Sequence, residues 1–226
     1  MTPRSKIIVF DVNETLLDIE ILNPFFAGAF GDARVMRQWF AELILYSQAL
    51  TLSGSYLEFG KLAVGVLHMV ADIRGVSLSD ADLTDFTGRM RSMPAHPDAA
   101  PALALLQREG FRLATLTNSG AQAGKAVLEK AGLAGHFERL FSVEEVGQFK
   151  PAPATYAFVA ATFGVETGSL RMVAAHTWDT LGAVAAGCDA ALLTRPGNAL
   201  LSVGPQPGIV EKDLVSLARR IVETDS

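Results

Sequence analysis

Apolar and polar residues along the chain fall into two regimes. Near the start Ile7, Ile8, Val9 and Phe10 run unbroken into Asp11, and turn-forming polar residues follow at once. A short continuous apolar run of this kind reads as a strand buried on both faces, as in a parallel sheet. Asp11 then falls where that strand ends, the edge on which open α/β sheets place their ligands. From about residue 19 to 90 the period becomes helical, and no segment reads convincingly as strand. The clearest helix opens after Gly31-Asp32, with Asp32 as N-cap. It turns Val35, Met36, Trp39, Phe40, Leu43, Ile44 and Ser47 to one side. Arg37 lies at the margin of that apolar arc, where a guanidinium can snorkel or reach into a cleft. A second helix is expected over 56–73 and a third, capped by Ser79, over 80–89. Met93-Pro94-Ala95-His96-Pro97 closes this stretch; two prolines three apart end a helix and stiffen the exit.

From residue 98 strands and helices alternate. Strands are expected over 111–116, 140–143, 170–175 and 189–193, and helices over 99–109, 121–131, 152–163, 180–186 and 212–222. Such alternation predicts a parallel sheet wrapped by helices. The fold class is therefore α/β. Residues 1–16 and 94–226 form a Rossmann-like core, and a helical cap over 17–93 interrupts it after its first strand.

Composition narrows the function. A chain of 226 residues holds one substantial core plus an elaboration. Half the residues are hydrophobic and 19% are charged, which excludes disorder. The net charge of −5, with basic residues scattered, argues against nucleic acid or an anionic membrane surface as partner. Cys188 is the only cysteine. With no apolar leader and no uncharged stretch fit to span a bilayer, a cytoplasmic protein is expected.

Four strand ends carry unusual polar residues: Asp11 with Thr15, Thr117-Asn118, Lys150 and Asp179. Singly, each has a plain alternative. Thr117-Asn118 and Asp179 could cap helices, and Lys150-Pro151 could be a surface turn. In a parallel sheet, however, all four ends open on one edge and so converge.

As an ordered set these residues resemble the motifs of the haloacid-dehalogenase superfamily, and the resemblance covers essentially the whole chain. Asp11-x-x-x-Thr15 is similar to its first motif, Thr117-Asn118 to the second, Lys150-Pro151 to the third, and the segment ending at Asp179 to the fourth. Asn13, Arg37 in the helical insertion and Trp178-Asp179 resemble most the type II (S)-2-haloacid dehalogenases. The resemblance implies a nucleophile at Asp11, a stabilising hydroxyl at Thr15 and a carboxylate-binding guanidinium at Arg37. It further implies a Thr-Asn pair at Thr117 and Asn118, a lysine at Lys150, a tyrosine at Tyr156 and an acid at Asp179. Superfamily phosphatases carry a second Asp two residues after the nucleophile, which protonates an alkoxide leaving group. Asn13 stands there and has no proton to transfer, which a halide would not need. Motif four keeps only Asp179 of the carboxylates that hold Mg²⁺ in phosphatases, so no cofactor or metal is expected.

The implied reaction is hydrolytic dehalogenation of short 2-haloacids through an aspartyl ester on Asp11. Main-chain N–H groups near Val12, Asn13 and Asn118 would help Arg37 hold the substrate carboxylate. Phe59, Trp178, Asn13 and Arg37 would line the halide pocket. The chain departs from the commoner pattern at Ala174 and His176, which stand where Ser and Asn are usual. His176 could replace the hydrogen bonds of that Asn or act as a base near neutrality. Tyr156 also belongs to an apolar stripe with Val159, Ala160 and Phe163, so core and site readings compete. A Mg²⁺-dependent phosphohydrolase and a non-catalytic binder of small carboxylates remain alternatives. The apolar cap helices would suit a homodimer interface.

Overall fold

The computed structural model describes residues 7–225; the first six residues and the last, which belong to the expected core, lie outside that range. Strand β1, Ile7–Phe10, has all four side chains buried. Four helices follow: α1 (Asn23–Phe30), α2 (Val35–Leu52), α3 (Phe59–Arg74) and α4 (Asp80–Met90). Then come α5 (Ala99–Arg108), β2 (Arg112–Thr117), α6 (Ala121–Lys130), β3 (Arg139–Ser142) and α7 (Pro153–Phe163). The chain ends with β4 (Leu170–Ala174), α8 (Thr177–Ala185), β5 (Asp189–Leu193), β6 (Ile209–Glu211) and α9 (Leu214–Asp225).

The strands form a six-stranded sheet in the order β3-β2-β1-β4-β5-β6, every pairing parallel. The α/β class expected from the alternation holds. Strand order reverses between β1 and β4, and right-handed crossovers then send the helices that follow to opposite faces. Accordingly α5 packs on α9, and α7 on α8. The crevice at such a switch point lies beyond the strand ends, which here means Asp11 after β1 and Ala175-His176 after β4. Deep in the core, Arg171 on β4 grips Asp225 on α9 through two contacts, at 2.6 and 2.7 Å.

Residues 19–90 contain no strand. The chain leaves the sheet layer at Leu16–Asp18 and returns beside itself. Asp18 N–H donates to the Pro94 carbonyl at 2.8 Å, and His96 N–H to that of Leu16 at 2.9 Å. The helices between share an aromatic centre: Trp39 lies 5.7 Å from Phe26 and 5.2 Å from Phe86, ring to ring. Trp39 Nε1 donates to the Ala63 carbonyl, so the one polar atom of this buried indole is satisfied.

Five details differ from the expected elements. α1 stands apart as its own short helix, opened by Pro24 and closed by Gly31 in the left-handed region. Asp32 does not cap α2 at its first residue; its carboxylate accepts from Arg34 N–H in the turn before. α3 begins at Phe59, three residues later than its periodicity suggests. α8 begins at Thr177, three residues earlier than expected, which sets Trp178 and Asp179 in its first turn. β6 emerges from the Pro/Gly-rich stretch, too short to announce itself by pattern.

Candidate active site

Asp11 continues β1 by one residue, its N–H donating to the Val173 carbonyl at 2.9 Å. Its side chain is nearly sequestered and fully partnered. Thr15 Oγ1 donates to Asp11 Oδ2 at 2.7 Å, and Lys150 Nζ to Oδ1 at 2.9 Å. Thr15 is fixed in turn, since its Oγ1 accepts from Ala175 N–H at 2.9 Å. The turn carrying these groups closes on Val12, whose carbonyl accepts from Leu16 and Leu17 N–H while its side chain fills the core. Burial alone would raise the Asp11 pKa, but Lys150 and His176 outweigh it and hold the carboxyl well below the usual range. Asp11 is therefore ionised at neutral pH.

Lys150 is entirely buried, and Nζ also donates to Asp179 Oδ2 at 2.6 Å. Burial would depress this ammonium, yet the two carboxylates raise it above its ordinary value. Asn118 Oδ1 accepts from Lys150 N–H at 3.0 Å, tying the second motif to the third. Thr117 Oγ1 accepts from Ser119 N–H and so shapes the same turn. Tyr156 donates to Asp179 Oδ1 at 2.7 Å. It is at once a core and a site residue: its ring is buried in the stripe and its hydroxyl ends on the acid. Desolvation first, and Asp11 next, raise the Asp179 pKa despite Lys150. Glycine at 182 admits the whole arrangement, because a Cβ there would collide with Pro151.

His176 is buried, with Nε2 2.8 Å from Glu14 Oε2 and Nδ1 3.4 Å from Asp11 Oδ2. Its ring stacks on Trp178 at 5.1 Å and 14°, with Phe40 of α2 5.3 Å away. Burial would lower this imidazole, but the Asp11 carboxylate facing Nδ1 and the Glu14 carboxylate bonded to Nε2 carry its pKa to about 9. That value lies above the near-neutral one expected for a base, and the position between two carboxylates suits the hydrogen-bonding role. Arg37 reaches from α2 to the nucleophile loop, as its place on the helix suggests, but ends on Glu14 through Nη1 and on the Pro196 carbonyl through Nη2, at 3.0 Å. A guanidinium has five N–H donors, so others remain for a ligand.

Asn13 and Phe59 lie to one side. They line a cavity of about 470 Å³ between α3, α4 and α6, together with Met90, Met93, Ser119 and Val127. Asn13 Nδ2 makes one long contact, 3.4 Å to Ser119 Oγ, and its Oδ1 is buried without a partner. Phe59 packs on Phe149, 5.8 Å between ring centres. Among the described residues no group of three or more His, Cys, Asp or Glu is placed to hold a metal ion. Lys150 Nζ fills the space between Asp11 and Asp179.

Sequence reasoning missed Glu14, Asn198 and Phe40 as parts of the site. Glu14 is buried, and its Oε1 accepts from Asn198 Nδ2 at 2.9 Å as well as from Arg37. A charged residue inside the first motif was the available signal for Glu14. Asn198 sits in a loop after β5 that carries no pattern, and Phe40 read simply as core.

A parallel sheet with a buried, ionised aspartate at its switch point, a lysine from another strand end against it and a helical insertion between β1 and α5 is the arrangement in which comparison with known proteins places this chain. The chain belongs to the haloacid dehalogenase-like hydrolase family, whose model matches residues 5–187. It is 26% identical over 208 residues to haloacetate dehalogenase H-2 of Moraxella sp. strain B, covering 90% of this chain and 92% of that one. To the (S)-2-haloacid dehalogenase of Pseudomonas sp. strain YL it is 28% identical over 207 residues, covering 89% and 88%. In structure it is similar to the L-2-haloacid dehalogenase of Xanthobacter autotrophicus, with a TM-score of 0.88 at 24% identity, covering 96% of this chain and 98% of that one. A second structure of that enzyme carries covalently bound chloropropionic acid.

Proposed function

We propose that the protein hydrolyses short-chain 2-haloacids to 2-hydroxy acids through an ester on Asp11. The observation that carries this reading is the buried Asp11 carboxylate, ionised by Lys150 at 2.9 Å, with the amide Asn13 two residues on. Such a site supplies a nucleophile but lacks the second aspartate that would protonate an alkoxide leaving group, which suits departure of a halide. The relatives named for haloacetate and (S)-2-haloacid dehalogenation support the substrate class.

Arg37 binds the substrate carboxylate with the N–H donors that Glu14 and Pro196 leave, aided by the main chain near Val12, Asn13 and Asn118. Asp11 attacks the halogen-bearing carbon from behind; a carbon–oxygen bond forms as the carbon–halogen bond breaks. The halide leaves with its electron pair toward Asn13, Phe59 and Trp178. Water then adds to Asp11 Cγ, and the ester bond from Cγ to the substrate-bound oxygen breaks. One water proton ends on the product hydroxyl, and the other passes through Asp179 to solvent. Residues 17–93 serve as the cap that closes over this chemistry. The outward apolar residues Leu45, Tyr46 and Leu52 on α2 favour a homodimer, which light scattering tests. Cys188 is buried and unpaired, in keeping with a cytoplasmic, reducing compartment.

The test is a panel of chloroacetate, 2-chloropropionate and fluoroacetate with halide detection, beside p-nitrophenyl phosphate, each with and without EDTA. The reading expects halide release that EDTA leaves unchanged. Phosphate release abolished by EDTA would replace it with a phosphohydrolase, and silence in both assays with a non-catalytic carboxylate binder.

A further inference from the structure

We propose that Glu14 is the positioning residue of this site: one buried carboxylate fixes His176 with Nδ1–H turned to the nucleophile and holds Arg37 at the entrance. The inference rests on the dehalogenase reading only for what it does in turnover, not for the positioning itself.

The backbone gives the first reason. Glu14 has φ +66°, and no other described non-glycine residue has a positive φ. A side chain with a Cβ is strained in that region, and glycine would avoid the strain. The side chain gives the second. Glu14 is 2% exposed, and both its oxygens are used by groups from three separate parts of the chain. Oε1 accepts from Arg37 of α2 and from Asn198 beyond β5; Oε2 lies 2.8 Å from His176 Nε2. The loop itself is braced on its far side, where His96 Nε2 meets the Glu14 carbonyl at 3.2 Å.

Fixing Nε2 decides where the other ring nitrogen points. Nδ1 lies 3.4 Å from Asp11 Oδ2, too far for a good hydrogen bond, and is otherwise buried without a partner. Trp178 stacked on the ring and Phe40 5.3 Å from it restrict its tilt and favour a positive charge there. His176 therefore stands as a second cation on the nucleophile, opposite Lys150, with an N–H free to follow charge on Asp11. The charged groups around it are Asp11 and Glu14 from the β1 loop, Arg37 from α2, Lys150 before α7 and Asp179 in α8. Of these Glu14 alone touches both His176 and Arg37, so its charge couples them.

The experiment reads His176 directly by nitrogen-detected imidazole NMR on the whole protein without substrate, with His176→Asn to assign its signals. In the wild type both ring nitrogens should be protonated at pH 7.5, with titration near pH 9. In Glu14→Gln, which keeps shape and loses charge, titration should fall by at least about one pH unit. Glu14→Gly, whose backbone suits the left-handed turn, should fold and lower it likewise. The alkaline limb of kcat/KM should move down in step, and KM should rise as Arg37 loses its anchor. A purely structural role would lower activity equally at every pH and leave the titration in place. A neutral His176 in the wild type at pH 7.5, or an unchanged titration in both variants, overturns the proposal. Absence of halide release from the wild type would instead strike the dehalogenase reading, since the NMR needs no turnover.

Discussion

Asp11, Lys150 and Asp179 form a buried row in which one ammonium serves two carboxylates, at 2.9 and 2.6 Å. Removing the middle charge leaves two like charges in a site that excludes water. Lys150→Met should therefore abolish turnover and destabilise the fold by about 3–5 kcal/mol, the scale for breaking a buried pair, as read by urea denaturation. Asp11→Asn keeps the shape and removes the nucleophile, so halide release should vanish; it also takes from Lys150 and His176 the carboxylate they share, so the melting temperature should fall. Arg37→Ala should chiefly raise KM for the haloacid, seen in steady-state kinetics. Asp11 and Asp179 were legible before the structure as polar residues near strand ends, and the resemblance to a known family pointed to Arg37 inside α2. Asp11 follows four buried β1 residues, and Thr117 closes β2. Glu14 was not legible. Its importance depends on an unusual backbone angle and on partners 23, 162 and 184 residues away, and no local pattern reports such distances.

Helix α8 connects packing to chemistry. Its first turn presents Trp178 and Asp179, and its middle passes so close to Pro151 that only glycine fits at 182. Gly182→Ala should push the helix away from the Lys150-Pro151 turn. We expect a loss of about 1–3 kcal/mol from the forced overlap and a lower kcat, measured by thermal melting and halide release. At this scale the sequence spoke clearly wherever periodicity ran long. α2 shows its stripe over 18 residues and was anticipated. α1 has eight residues and β6 three, too few turns or alternations to establish a period, and both went unseen. The early start of α8 escaped for a different reason: His176, Thr177 and Asp179 surround the lone Trp178 with polar groups, and polar residues after a strand read as loop.

Across the molecule, two sets of titrating groups act in opposite directions. Asp11 and Glu14 have lowered pKa values because Lys150, His176 and Arg37 overcome their burial. Their contribution to stability is present above the unfolded carboxylate range and is lost as pH falls through the folded values. His176, raised to about 9, contributes fully below about 6.5 and loses its contribution as pH climbs through 9. Stability should therefore be broad between roughly pH 5 and 7 and decline toward pH 9–10. Urea midpoints across that range check the shape, and His176→Asn should remove the alkaline decline. The helical insertion meets the sheet layer at paired chain segments, Leu16–Asp18 and Pro94–His96, and Arg37 bridges the two from above.

The covalent role of Asp11 is tested most directly by a single turnover in ¹⁸O water with enzyme in excess over 2-chloropropionate. Mass spectrometry of the product and of the peptide containing Asp11 then locates the label. If the carboxylate attacks carbon and water attacks the resulting ester, the label enters Asp11 and the lactate formed is unlabelled. Label in the product and none in the protein would mean that water attacked the substrate directly, and the account given for this site would be wrong.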